Sequence, residues 1–135
     1  MKAESVIPIL NVSDIQESFA WFEKLGWKKI WDWGDPPGFG AVRAGHWEIF
    51  LCQDGQGGRG KGSNQTTFDS HEAQSSDKGV WLCIMVDDAD AVHRHCVKEG
   101  LEVTSPPTDM PWGLREMNVR HPDGHVLRIG HGIVG

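Results

Sequence analysis

The sequence predicts an α+β chain built from two tandem βαβββ modules. Three observations carry this prediction. Apolar, β-branched runs alternate with two segments whose apolar residues fall at helical spacing. The two halves repeat: Val12-Ser13-Asp14-Ile15 matches Val86-Asp87-Asp88-Ala89, and Gly26-Trp27 matches Gly100-Leu101, with 86 − 12 and 100 − 26 both equal to 74. A gapless offset across strand, helix and strand marks an internal duplication. Finally, a single long polar segment separates the halves.

The first module opens with an apolar run at 4–12 (ESVIPILNV), which predicts a buried strand. Ser13 begins a Ser-x-x-Gln capping box, so the helix is expected to start there. Ile15, Phe19, Phe22 and Leu25 form its apolar face, and Gly26 stops it. Residues 27–33 (WKKIWDW) predict a strand with Trp27, Lys29, Trp31 and Trp33 on one side and Lys28, Ile30 and Asp32 on the other. Asp35-Pro36-Pro37-Gly38 supplies a turn. Residues 39–43 and 46–53 then predict a hairpin about Ala44-Gly45.

In the second module, 80–86 (VWLCIMV) predicts a buried strand. Asp87 or Asp88 caps a helix carrying Ala89, Val92, Cys96 and Val97, and Gly100 ends it. Residues 101–104 are a short strand, after which Pro106-Pro107 turns the chain. Residues 114–120 and 125–129 form a hairpin about Pro122-Asp123-Gly124. The modules thus occupy 4–53 and 79–131 of a single domain spanning 1–135. Between them, 54–78 holds five Gly, four Ser and one apolar anchor, Phe68. Such a segment predicts a flexible connector or lid.

Composition removes several function classes. A length of 135 residues suits one domain, and 39% hydrophobic with 24% charged residues suits a folded, soluble one. No apolar run approaches the ~18 residues of a membrane span, and the N-terminus lacks a signal-peptide pattern. A cytoplasmic protein without a membrane partner is expected. The net charge of −6, with no basic run, argues against a nucleic-acid partner. Cys52, Cys83 and Cys96 are odd in number and lack CxxC spacing, which excludes a disulfide framework and a Cys-rich zinc site. Each lies in an apolar or periodic stretch and is expected to be a small core hydrophobe. Seven Trp and five Phe against no Tyr are unusual. An indole N–H needs a polar partner or a wet edge, so so many Trp predict a lined cavity or interface besides a core.

The chain resembles the vicinal oxygen chelate superfamily of glyoxalases, bleomycin resistance proteins and extradiol dioxygenases. The resemblance rests on Asn11-Val12-Ser13-Asp14-Ile15, Phe19–Trp21-Phe22 and Leu25-Gly26-Trp27. It rests equally on Pro111-Trp112-Gly113-Leu114-Arg115-Glu116 and on Val119-Arg120-His121-Pro122-Asp123-Gly124-His125. It implies curled mixed sheets that form a cleft, with metal ligands on the first and last strands of each module. The first-strand positions fall on Ile7 and Trp81, and the last-strand position of module two falls on Arg128. The last-strand position of module one falls on or beside Glu48. Three of these four cannot hold a divalent metal. The pattern is closest to the metal-free bleomycin resistance proteins, which implies no metal, no cofactor and no catalytic residue.

If that geometry holds, strand alternation lines the cleft with Ile7, Ile9 and Asn11, with Trp81, Cys83 and Met85, and with Val126, Arg128 and Gly130. Trp33, Phe39, Trp47 and Trp112 lie at strand ends or turns near it. The expected ligand-binding residues are therefore Ile7, Trp33, Phe39, Trp47, Glu48, Trp81, Met85, Trp112 and Arg128. Arg128 could bind a ligand carboxylate or pair with Glu48. Trp21 and Trp27 divide between core and cleft.

The histidines offer no ligand set. His93 and His95 diverge on their helix. His121 and His125 flank the Pro-Asp-Gly turn at a solvated rim, and His46 mirrors His125. His71 and His131 are expected at the surface. Two function classes remain. One is a binding protein that sequesters a small planar or cationic aromatic compound between Trp faces. The other is a metal-dependent lyase or isomerase of glyoxalase type, or a dioxygenase-like enzyme, with divergent ligands. Open sheet edges and an apolar concave face predict a homodimer.

Overall fold

A computed structural model describes residues 1–53 and 76–133. The expected flexible segment, with Phe68 and His71, lies outside the described residues except for Ser76, Asp77 and Lys78. The chain order is β1 (Ile9–Val12), α1 (Ile15–Leu25), β2 (Lys28–Gly34), β3 (Pro37–Ala44) and β4 (Trp47–Gln53). It then continues as β5 (Trp81–Met85), α2 (Ala89–Glu99), β6 (Glu102–Asp109), β7 (Leu114–Arg120) and β8 (Val126–Gly132). Two four-stranded mixed sheets result, ordered β1-β4-β3-β2 and β5-β8-β7-β6. In each, the strand before the helix pairs parallel to the last strand, and the remaining pairs are antiparallel.

The duplication is visible in the helix caps. Asp14 and Asp88, 74 residues apart, each hold an extended backbone and accept a backbone N–H three residues on, from Glu17 at 3.0 Å and Ala91 at 3.1 Å. Gly26 and Gly100 close the helices at positive φ, 112° and 74°, where a Cβ would be strained. The expected cap at Ser13 is thus displaced by one residue. The Ser13 N–H instead donates to Asp123 Oδ2 of the second module at 2.9 Å.

Other expectations also shift, for local reasons. The first strand is shorter than 4–12, because Pro8 offers no N–H and only its carbonyl joins the ladder, through Phe50 N–H. A bulge between Lys29 and Trp31 breaks the alternation expected in β2. Lys29 thereby reaches over the Phe19 ring of α1, while Trp31 goes to the opposite face. The chain does not turn at Pro106-Pro107. Strand β6 runs through them, with its pairing interrupted between Ser105 and Thr108. It is an edge strand, where a missing N–H costs little.

One apolar core joins the modules. Leu10, Val12, Val42, Ile49 and Leu51 meet Phe19, Trp21, Phe22 and Leu25 of α1. Met117, Val119, Leu127 and Ile129 meet Cys96 of α2, all within the same cluster. Trp21 and Trp27 are core residues. Among the described residues no helix is long and apolar enough to cross a membrane.

Candidate functional site

With one face of each sheet committed to the core, alternation sends the intervening side chains to the other, more open face, where Ile9, Trp33, Cys83 and Met85 are exposed and Asn11, Ala41, Cys52, Glu116 and Asn118 are buried. In the first module that face carries Ile9 and Asn11 of β1, Phe39 and Ala41 of β3, and Glu48, Phe50 and Cys52 of β4. Trp31 joins them across the bulge. Its ring stacks on Phe39 at 5.6 Å and meets the edge of Phe50 at 5.2 Å, and Phe39 meets Phe50 at 5.5 Å. Trp33 lies beside Phe39 and is 76% exposed. This three-ring nest is the aromatic centre of the first module's face. Glu48 pairs within the same face with Arg43, at 3.7 Å.

Trp47 does not share that face. It alternates with Ile49 and Leu51, so it sits on the helix side of the sheet, at the strand start, and is 70% exposed. Ile7 precedes β1 and is half-buried. Phe50 and Trp31 are nest residues that sequence reasoning missed. Alternation from Glu48 points to Phe50, whereas Trp31 depends on the bulge.

In the second module the open face carries Trp81, Cys83 and Met85 of β5, beside Val126, Arg128 and Gly130 of β8 and Glu116 and Asn118 of β7. Trp81 is half-buried and outside the core cluster, and Met85 and Trp112 are exposed. Cys83, expected in the core, is exposed because β5 is an edge strand buried on one face only, whereas Cys52 and Cys96 are buried.

The polar centre of this face is Glu116, which sequence reasoning also missed. Its Oε1 accepts the indole N–H of Trp112, and its Oε2 accepts Arg128 Nε–H at 2.6 Å. The Arg128 guanidinium also lies over the Trp112 ring, 5.3 Å from its centre. Carboxylate, guanidinium and indole thus lock one another, and Trp112 is presented as a fixed flat wall. Arg128 pairs with Glu116 rather than Glu48, because the β7–β8 register brings their strands together while Glu48 is engaged in its own module.

The donors expected for a divalent metal are not assembled. Among the described residues no group of three or more His, Cys, Asp or Glu could hold an ion. Arg128 brings a positive charge to a carried-over ligand position, and the neighbouring carboxylate is already doubly engaged. Ile7, Trp81 and Arg128 offer no donor to a divalent metal at the positions the family resemblance implies.

The histidines differ most from expectation. His121 and His125 are not at a solvated rim: both are fully buried. Burial pushes both rings below the ordinary imidazole range, and for His121 the neighbouring His125 adds to the effect. Ser18, His121 and Asp123 superficially resemble a catalytic triad, since Ser18 Oγ lies 3.0 Å from His121 Nε2. However, His121 Nδ1 accepts the Asp123 backbone N–H at 3.0 Å, so the proton sits on Nε2 and is donated to the serine. A hydroxyl that accepts from the imidazole is not activated by it. His131 is not an idle surface residue either, since its Nδ1 accepts the Ala89 N–H at 2.8 Å.

Comparison with known proteins places this geometry. The family model described as Glyoxalase/Bleomycin resistance protein/Dioxygenase superfamily matches residues 5–129. The chain is similar in fold to TioX from Micromonospora sp. ML1, with a TM-score of 0.74 and 16% identity over 97% of this chain and 100% of that one. It is similar to a bleomycin-binding protein complexed with bleomycin, with a TM-score of 0.67 and 19% identity over 96% and 99% of the two chains. It is also similar to a bleomycin resistance determinant encoded on the transposon Tn5, with a TM-score of 0.69 and 19% identity over 98% and 100%. No curated protein matches the sequence.

Proposed function

Because the chain belongs to the Glyoxalase/Bleomycin resistance protein/Dioxygenase superfamily, we propose that it works without metal and binds a small planar, cationic aromatic compound, holding it without altering it. The observation that carries this reading is the Glu116–Arg128–Trp112 lock. It puts a guanidinium, Arg128, at a position where the family resemblance implies a metal donor. The Trp31–Phe39–Phe50 nest supports an aromatic ligand, because stacked and edge-on rings offer π-faces. The net charge of −6 supports a cationic one by long-range attraction. The solved bleomycin-binding protein, similar in fold, was complexed with bleomycin.

The proposed binding residues are Trp31, Phe39 and Phe50 in the first module, and Trp81 and Trp112 in the second, with Arg128 paired to Glu116 and supporting Trp112. A homodimer is part of the proposal, since Trp33 and Met85 leave apolar surface for a second copy to cover. The test joins elemental analysis of the purified protein to Trp fluorescence titration with bleomycin and with a planar cationic dye. Absence of stoichiometric metal, with saturable binding weakened at least tenfold by Trp112→Ala, is expected. One tightly bound Ni, Zn, Fe or Mn per chain would favour the metal-dependent lyase, isomerase or dioxygenase instead. Light scattering near the monomer mass of 15.0 kDa would remove the dimer.

A further inference from the structure

The imidazoles of His121 and His125 lie side by side, 5.4 Å apart, where the Pro122 turn of the second module meets the first. His125 spans the junction. Its Nε2–H donates to the Asn11 carbonyl of β1 at 2.7 Å, and its Nδ1 accepts the Val80 N–H ahead of β5 at 3.0 Å. His121 is held in the same sense, its Nδ1 accepting the Asp123 N–H and its Nε2–H donating to Ser18 Oγ of α1. Trp21 and Phe22 of α1 pack against its ring.

In each ring one nitrogen carries a proton and the other receives a backbone N–H. A second proton on either ring would point at a donor. The network therefore accepts only neutral rings. The titratable groups facing the pair are the two rings themselves and Asp123, whose Oδ2 lies 3.8 Å from His121 Nδ1 and already takes the Ser13 N–H. Among the described residues, those facing the pair from the other elements are uncharged: Asn11 on β1, Ser18, Trp21 and Phe22 on α1, and Gly79 and Val80 before β5. One carboxylate cannot neutralise two buried cations.

We propose that His121 and His125 form a proton-sensitive latch between the modules, shut while both rings are neutral and released when they take up protons. Release frees the end of β1, the inner face of α1 and the chain entering β5. Those strands carry Ile9 and Trp81 of the open faces. The backbone around the rings is built close to them. A Cβ on Gly79 would come within 2.2 Å of His125 Nδ1, and Gly79 N–H bonds to the Gly124 carbonyl.

The sign follows from linkage. Both rings bind protons less readily folded than unfolded, so their stabilisation is present above the unfolded pKa of about 6.5 and is lost as pH falls below it. A ring that stays neutral in the folded state raises the unfolding equilibrium constant about thirtyfold between pH 7.5 and pH 5, so His121 alone should give roughly that rise and His125 should add to it. The test is urea unfolding of the full chain across that range, beside the double variant His121→Gln/His125→Gln. A Gln amide can donate and accept at the same partners but does not titrate. The variant should stay folded at pH 7.5 and lose most of the rise. An unchanged rise would overturn the latch. If the variant fails to fold, ring NMR of the wild type decides. His121 should remain neutral in the folded protein down to pH 5 and His125 should titrate below the ordinary imidazole value, and a ring that titrates near 6.5 in the folded state would overturn the proposal.

Discussion

Gln53 and His131 perform the same task in the two modules. Gln53, the last residue of β4, accepts the Ile15 N–H through Oε1 at 2.8 Å. His131, near the end of β8, accepts the Ala89 N–H through Nδ1 at 2.8 Å. Ile15 and Ala89 are the first residues of α1 and α2 and stand 74 apart. Each helix start therefore has two side-chain acceptors, one from its own Asp cap and one from the last strand of its module. Different residue types supply the second, so the repeat lies in the geometry rather than the letters.

Removing either acceptor leaves a helix N–H without its partner. Gln53→Ala and His131→Ala should each cost about 1 kcal/mol, the usual value of an N-terminal cap. Urea denaturation measures it, and Gln53→Glu, which keeps an acceptor, should cost less. Losses within error at both positions would show that water serves these helix starts equally well.

Asp77 and Arg120 are bonded at 2.7 Å, with side chains 1% and 9% exposed. Arg120 also reaches Glu102, at 3.0 Å. Asp77→Ala should remove the buried carboxylate from this guanidinium, leaving it the exposed Glu102, and cost up to about 3 kcal/mol. The double variant Asp77→Ala/Arg120→Met should recover part of that loss. A double variant no more stable than the single would contradict the account.

The three thiols should separate by reactivity. Burial pushes the Cys96 thiol up to about 11, and Cys52 is buried as well, while Cys83 stands exposed on β5. Iodoacetamide on the native protein at pH 8 should therefore label Cys83 first, and the other two only on unfolding. Peptide mass mapping reads this directly. Native labelling at Cys96 would contradict the packing of α2.

Gly40 lies under the aromatic nest, where a Cβ would meet Phe19 Cζ at 2.5 Å and the Trp31 carbonyl at 2.9 Å. Gly40→Ala should cost about 1–3 kcal/mol, as overpacking does. It should also disturb Trp31, which is readable in the near-ultraviolet circular dichroism. An unchanged spectrum and melting temperature would mean that α1 yields without strain.

Much of the fold was legible in the sequence because local rules carry it. The Asp and Gly caps, the apolar stripes of the two helices and the 74-residue offset all follow from residues a few positions apart. Alternation likewise assigned Trp81, Cys83, Met85 and Arg128 to one face, since a pleated strand sends every second side chain the same way. The bulge at β2 defeated that rule for Lys29 and Trp31, because one extra residue reverses the phase and only the pairing with β3 reveals it. Tertiary structure alone decided the rest. His125 bonds to Asn11 across 114 residues, and His121 to Ser18 across 103. The motif His121-Pro122-Asp123-Gly124-His125 has the composition of a solvated turn. It becomes a buried junction only because another module packs on it, and contacts at that separation leave no periodic trace in the chain. Glu116 was hidden for the same reason. Its role comes from the β7–β8 register that sets it beside Arg128, and from the turn that returns Trp112 over both.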